Sequence, residues 1–70
     1  MNAALKIEFP DLPTLCSVDE AAKALRSSTR TIRRLLATGR LRAAKLAIGG
    51  SSKLLVPRIE IERLVRESML

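Results

Sequence analysis

The sequence predicts a mainly α-helical domain with one small β-hairpin. Two segments, 18–25 and 29–38, place apolar residues on one side of a helix, and each follows a serine that can cap it. Over residues 43–56 the spacing changes to the alternation of strands, interrupted by a Gly-Gly pair. A further helical segment, 57–68, opens with proline, a residue suited to a first helical turn. The predicted order is therefore helix, helix, hairpin, helix.

Residues 1–14 are assigned to an N-terminal arm that precedes a domain over residues 15–70. The stretch LKIEF, residues 5–9, alternates apolar and polar side chains and suits a short strand, which Pro10 and Pro13 would end. A partly ordered arm fits the same residues equally well.

The first helix has a capping signal at its start. In SVDE, Ser17 can accept a hydrogen bond from the amide of Glu20, and the Glu20 carboxylate can reach back to the amide of Ser17. This pattern predicts a helix of about eight or nine residues. Its buried face is built from small or branched apolar residues: Val18, Ala21, Ala22 and Leu25.

The second helix follows after a very short turn, Arg26-Ser27-Ser28. Ser28 is a good N-cap, and Gly39 stands where a left-handed residue ends a helix. Over Thr29 to Thr38 the apolar residues Ile32, Leu35 and Leu36 share one side, and most arginines lie opposite. Two short helices joined by a turn of three or four residues define a helix-turn-helix.

The hairpin and the last helix complete the prediction. Residues 49–53, GGSSK, are predicted to form a flexible hairpin tip, so the hairpin extends as a wing. The last helix runs from Pro57 to Ser68, with Glu62 and Arg66 at the spacing of an ion pair. Its buried stripe consists of Ile61, Leu64 and Val65.

The charge distribution points to an acidic partner. The net charge is +6, and no acidic side chain lies between Glu20 and Glu60, an interval that holds ten lysines and arginines. A basic stretch of this kind is typical of proteins that bind nucleic acid. In a helix-turn-helix the second helix enters the DNA major groove with its N-terminal residues leading, and arginine can bond guanine edges or phosphates there. The alternative is a merely solvated basic surface.

The composition argues against several other functions. The sequence has no histidine and offers no nucleophile triad, metal-ligand cluster or phosphate-binding glycine loop, so neither an enzyme nor a metal or cofactor protein is expected. Cys16, beside a helix start, is either mildly activated or a structural buried thiol. With one cysteine, no membrane-length apolar run and no signal peptide, the chain is expected to be cytoplasmic.

The order of these motifs resembles a known family. LCSVDEAAKALRSSTRTIRRLLATGRLRAAKL followed by GGSSKLLVPRIEIERLV is similar to the excisionase-type, MerR-like winged helix-turn-helix over residues 15 to about 65. Members often have glycine in the turn where this chain has Arg26.

The resemblance implies a small phage or mobile-element protein that acts as a recombination directionality factor. Such proteins bind double-stranded DNA beside an attachment site, line up in tandem, bend the DNA and bias a tyrosine integrase toward excision. The recognition helix would contribute Thr29, Arg30, Arg33 and Arg34 to the major groove. The wing and its flanks would contact the minor groove and backbone through Arg40, Arg42, Lys45, Gly50, Ser51, Ser52 and Lys53.

Three other functions fit parts of the sequence. The same fold serves small phage or plasmid transcription regulators. A protein-interaction module could assemble through apolar residues near the termini, namely Leu5, Ile7, Phe9, Ile59, Met69 and Leu70. Binding of single-stranded RNA is disfavoured, because such proteins stack bases on aromatic side chains and Phe9 is the one aromatic residue here.

Overall fold

The fold is a set of short helices packed on a small antiparallel sheet. A computed structural model of the chain describes residues 7–69. The elements in these residues are β1 (Leu15–Cys16), α1 (Val18–Ala24), α2 (Thr29–Ala37), β2 (Ala44–Ile48), β3 (Ser51–Pro57) and α3 (Arg58–Glu67). The sheet has the order β1-β3-β2 with antiparallel pairing throughout. The predicted order of two helices, a hairpin and a last helix is confirmed, and β1 is an addition to it.

The prediction of a strand over residues 5–9 is wrong where the structure describes it. Leu5 lies outside the described residues, and residues 7–9 have no regular secondary structure. Phe9 packs against the core, and its amide donates to Glu62 Oε2 at 2.8 Å. This segment is therefore held by α3, and the strand at the edge of β3 is formed by residues 15–16, which pair with residues 56–57.

The core is aliphatic and draws on nearly every element. Cys16 of β1, Ile32 of α2, Val56 of β3 and Ile61 of α3 are fully buried. Ala21 and Ala22 of α1 are also buried, and their small side chains let α1 approach its neighbours closely. The predicted stripe of the last helix is confirmed in Ile61 and Leu64.

Both helices of the helix-turn-helix end in the same type of cap. After α1 the amide of Ser27 donates to the carbonyl of Ala22 at 2.8 Å, and Arg26 takes a left-handed φ of 53°. After α2 the amide of Arg40 donates to the carbonyl of Leu35 at 3.0 Å, and Gly39 has a φ of 79°. These are Schellman caps, which normally place glycine at the left-handed position. Arg26 therefore fills a glycine position, and α1 ends at seven residues, shorter than predicted.

The predicted five-residue hairpin tip is wrong, because the turn is tighter. Gly49 and Gly50 alone form it, with φ values of 58° and 84°. A two-residue turn with both residues left-handed matches the twist of a hairpin, and glycine adopts it without strain. Strand pairing therefore continues to the turn, and residues 51–53 belong to β3.

The last helix also differs from its prediction at its start. Pro57 ends β3 and stands as the N-cap residue, so α3 begins at Arg58. Glu62 pairs with Arg58, which lies one helical turn before it, and not with Arg66 as predicted. Arg58 Nε and Glu62 Oε2 are 3.8 Å apart. The reason is tertiary: the Glu62 carboxylate also accepts the amide of Phe9, which places it beside the N-terminal segment.

Candidate nucleic-acid interface

The N-terminal turn of α2 is built to present basic side chains. Ser28 Oγ accepts the amide of Thr31 at 3.2 Å, which fixes the start of the helix as predicted. The first turn carries no acidic side chain, and Thr29 and Arg30 are exposed there. The partial positive charge of a helix N-terminus and the Arg30 guanidinium therefore act in the same direction.

The two sides of α2 have opposite character. Ile32 is fully buried and Leu35 is half-buried, so this side anchors the helix to the core. Arg30, Arg33 and Arg34 are all exposed. The core contact of α2 thus leaves the predicted recognition residues accessible to a large partner.

The turn between α1 and α2 adds a basic residue, Arg26, which is not among the predicted site residues. The left-handed Arg26 is exposed in the turn directly before the N-cap of α2. Only Ser27 and the N-cap Ser28 separate it from Thr29, so its charge lies close in sequence to the first turn of α2.

Six residues, 38–43, separate α2 from β2, and residues 40–42 among them, called the linker from here on, are fixed by their backbone. Leu41 is buried with 1% exposure, and its amide donates to the carbonyl of Leu35 at 3.1 Å. The amide of Arg42 donates to Glu60 Oε1 of α3 at 3.1 Å. The side chains of Arg40 and Arg42 are exposed. The linker therefore holds two predicted site residues at a defined place between α2 and the hairpin.

The hairpin of β2, the Gly49-Gly50 turn and β3, called the wing from here on, carries the remaining predicted residues. Its predicted residues are all exposed: Lys45, Gly50, Ser51, Ser52 and Lys53. The strand register pairs Lys45 with Leu54 and Leu46 with Lys53. Directly opposed residues of an antiparallel pair share a face and successive residues alternate, so Lys45 and Lys53 lie on opposite faces of the wing.

One of the ten bases in the acid-free interval has a structural role. Arg58 Nη1 donates to the carbonyl of Leu12 at 2.9 Å, and its Nε lies 3.8 Å from Glu62. Arg58 thus ties the N-terminal segment to α3. The basic surface of α2, the linker and the wing does not depend on it.

Cys16 lies away from this surface and is buried. Burial raises the pKa of its thiol, and the carboxylate of Glu20 acts in the same direction. The Cys16 Sγ donates to the carbonyl of Pro13 at 3.4 Å. Of the two interpretations of this cysteine, the structure favours the buried structural thiol.

Within residues 7–69, His, Cys, Asp and Glu side chains form no group of three or more that could hold a metal ion. None of the helices in the same range is long and apolar enough to cross a membrane.

Comparison with known proteins identifies a family. A family model described as a helix-turn-helix domain matches residues 15–69. The curated proteins and the solved structures give no significant match. The matched range contains α1, α2, the linker, the wing and α3, and so includes every predicted site residue.

Proposed function

Since the chain belongs to the helix-turn-helix domain family, a family suited to binding DNA, we propose that it is a sequence-specific binder of double-stranded DNA and has no catalytic role. Its more specific proposed role is that of an excisionase, a recombination directionality factor of a phage or mobile element. It would bend attachment-site DNA in the host cytoplasm and bias a tyrosine integrase toward excision. The family match supports DNA binding, and the resemblance of residues 15–65 supports the more specific role.

One observation carries the DNA-binding proposal. The first turn of α2 is capped by Ser28, free of acidic side chains, and flanked by exposed arginines, while the opposite side of the helix is buried. A helix of this kind fits the major groove with its N-terminus leading. The linker and the wing extend the same basic character beyond α2, where phosphates would lie.

The direct test is the salt dependence of binding to duplex DNA. Each phosphate neutralised by the protein contributes about −0.9 to the slope of log affinity against log salt concentration, and we expect about four to six such contacts per protomer. Fluorescence anisotropy with a labelled duplex from DNA beside the gene measures this slope. A slope near zero would overturn the proposal, and salt-insensitive self-association without DNA would favour the protein-interaction module instead.

Excision and transcription control are separated by where the protein binds. An excisionase protects DNA beside an attachment site and shifts a recombination assay with the cognate integrase toward excision. A regulator protects a promoter and leaves recombination unchanged. Footprinting of the DNA adjoining the gene, followed by the recombination assay with and without the protein, distinguishes the two roles.

We also propose that copies bind side by side on DNA. A single small module buries only about 600–1,000 Å² on DNA, which limits its selectivity. Ile59 and Met69 are 67% and 46% exposed and are candidates for contact between copies, whereas Phe9 packs against its own core. Titration of one-site and three-site duplexes tests this arrangement. Equal affinity per site on both duplexes would contradict it.

A further inference from the structure

The two ends of the wing are attached to the rest of the molecule in different ways. The β3 end pairs with β1 through Cys16 and Val56, and the amide of Arg58 just after it donates to the carbonyl of Thr14 at 2.8 Å. Val56 itself is fully buried. The β2 end is an outer strand, because the sheet order places β3 between β1 and β2. Its attachment depends on the linker.

Two charged residues of α3 hold that linker by its backbone. Glu60 Oε1 accepts the amide of Arg42 at 3.1 Å, and Arg63 Nη2 donates to the carbonyl of Arg40 at 3.1 Å. Among the described residues, the side-chain hydrogen bonds from α3 to the linker all come from this pair. They hold the linker on both sides of the buried Leu41.

The pair is itself held rigid. Arg63 Nη2 and Nε donate to the two oxygens of Glu60 at 2.8 and 3.2 Å, a two-pronged arrangement. Arg63 Nη1 also donates to Glu67 at 2.7 Å. Planar paired bonds between a guanidinium and a carboxylate fix orientation as well as distance. The Glu60 and Arg63 side chains are 17% and 28% exposed, so the bonds between these two are partly shielded from solvent.

The linker also marks the point where α2 meets the wing. The carbonyl of Leu35, near the end of α2, accepts the amides of both Arg40 and Leu41. The linker is therefore bonded both to the end of α2 and, through residues 60 and 63, to α3. The recognition helix and the wing must fit one stretch of duplex at the same time if each is to contact it.

We propose that Glu60 and Arg63 are positioning residues, which set the wing relative to α2 so that both elements bind one DNA site without either residue touching DNA. The inference rests on the proposed function. Arg63 has a second effect in the same role: it balances the charge of Glu60, an acid that would otherwise stand unpaired beside the basic linker and repel phosphate.

The test compares two variants of α3 that remove the same charge. Arg63→Gln removes the guanidinium that bonds the Arg40 carbonyl and holds Glu60. Arg66→Gln removes an exposed arginine on the same helix whose side chain has no hydrogen bond or ion pair within residues 7–69. We expect Arg63→Gln to weaken binding about tenfold and Arg66→Gln less than about twofold. Equal losses would show a plain charge effect and overturn the proposal. Thermal melts identify an unfolded variant, and Glu60→Gln is the milder substitute, since its amide oxygen can still accept from Arg42.

A double-mutant comparison separates positioning from general stability. If Arg63 acts through the wing, Arg63→Gln should cost clearly less than tenfold in a chain that has lost the two charged wing contacts through Lys45→Ala and Lys53→Ala. A full tenfold loss in that background would overturn the proposal. Lack of any salt-sensitive binding by the wild-type chain would instead defeat the proposed function.

A measurement without DNA tests the same attachment. In Glu60→Ala the amide of Arg42 loses its acceptor, so its hydrogen exchange should accelerate, while exchange at the buried Val56 in β3 stays slow. Unchanged exchange at Arg42 would show that the Glu60 bond does not hold the linker in solution.

Discussion

The helix-turn-helix, residues 17–39, and the wing reach their shapes by different means. In the helix-turn-helix each helix begins at a serine three residues from its bonding partner and ends in a Schellman cap formed by neighbouring residues. In the wing only the Gly49-Gly50 turn is local. Its two ends are held by β1 and by α3, which are distant in sequence. Local signals thus define the part that would enter the groove, and tertiary contacts define the part that would flank it.

The largest expected effect is a loss of stability when the core of the helix-turn-helix is disrupted. Ile32 is completely buried where α2 meets the core, so Ile32→Ala should lower the free energy of unfolding by about 2–5 kcal/mol. The matched change on the wing, Leu54→Ala, removes a side chain that is 38% exposed and should cost less than about 1 kcal/mol. Urea denaturation measures both. Similar losses would mean that the wing contributes as much to stability as the helices do.

The next effect concerns DNA binding, for which α2 and the wing are expected to contribute differently. Arg30→Ala should weaken binding to the preferred DNA by about 1–3 kcal/mol and relax its sequence preference, because a base-edge contact carries sequence information. Lys53→Ala should weaken binding to all sequences alike, because a backbone contact carries none. Competition titrations with specific and random duplexes measure the two preferences. The reverse pattern would assign sequence recognition to the wing.

The turn between α1 and α2 offers a smaller effect of opposite sign. Arg26 is held at a φ of 53°, which costs a residue with a Cβ atom about 1–2 kcal/mol, while glycine pays an entropic penalty of about 0.5–1 kcal/mol. Arg26→Gly should therefore stabilise the chain by up to about 1 kcal/mol. Thermal melts should show no such gain for Arg26→Ala, which removes the same charge and keeps the strain. Equal gains in both variants would assign the effect to charge.

The smallest expected effect tests the attachment of the wing through acid. The hydrogen bond from Arg63, the largest cause, and the amide of Arg42 lower the pKa of Glu60, although burial acts against them. The ionised Glu60 carboxylate therefore stabilises the folded chain fully above about pH 4.3, the ordinary pKa of a glutamate. This contribution is lost as the pH falls through the lower pKa that Glu60 has in the folded chain. The stability difference between the wild type and Glu60→Gln should shrink over that range. A difference that persists well below it would show that the carboxylate charge is not involved.

In the candidate site, too, some residues are placed by local sequence signals and others by tertiary contacts. The exposure of Arg30, Arg33 and Arg34 follows from the helical spacing that buries Ile32, so the sequence was enough to predict it. The separation of Lys45 and Lys53 onto opposite wing faces was not predictable. It depends on the strand register, which the two-residue turn at Gly49-Gly50 sets.

What the sequence by itself determined are the features whose partners lie within a few residues. The capping box at Ser17, the N-cap at Ser28, the helix end at Gly39 and the order of the elements are of this kind. The tertiary structure decided the rest. Residues 15–16 form β1 whereas residues 7–9 form no strand, Glu62 pairs with Arg58, and Glu60 and Arg63 bond the linker. The physical reason is the range of the interaction. A cap is satisfied by its own turn of helix, whereas a carboxylate on a helix has several arginines within reach along the chain, and only the packing of the elements selects among them.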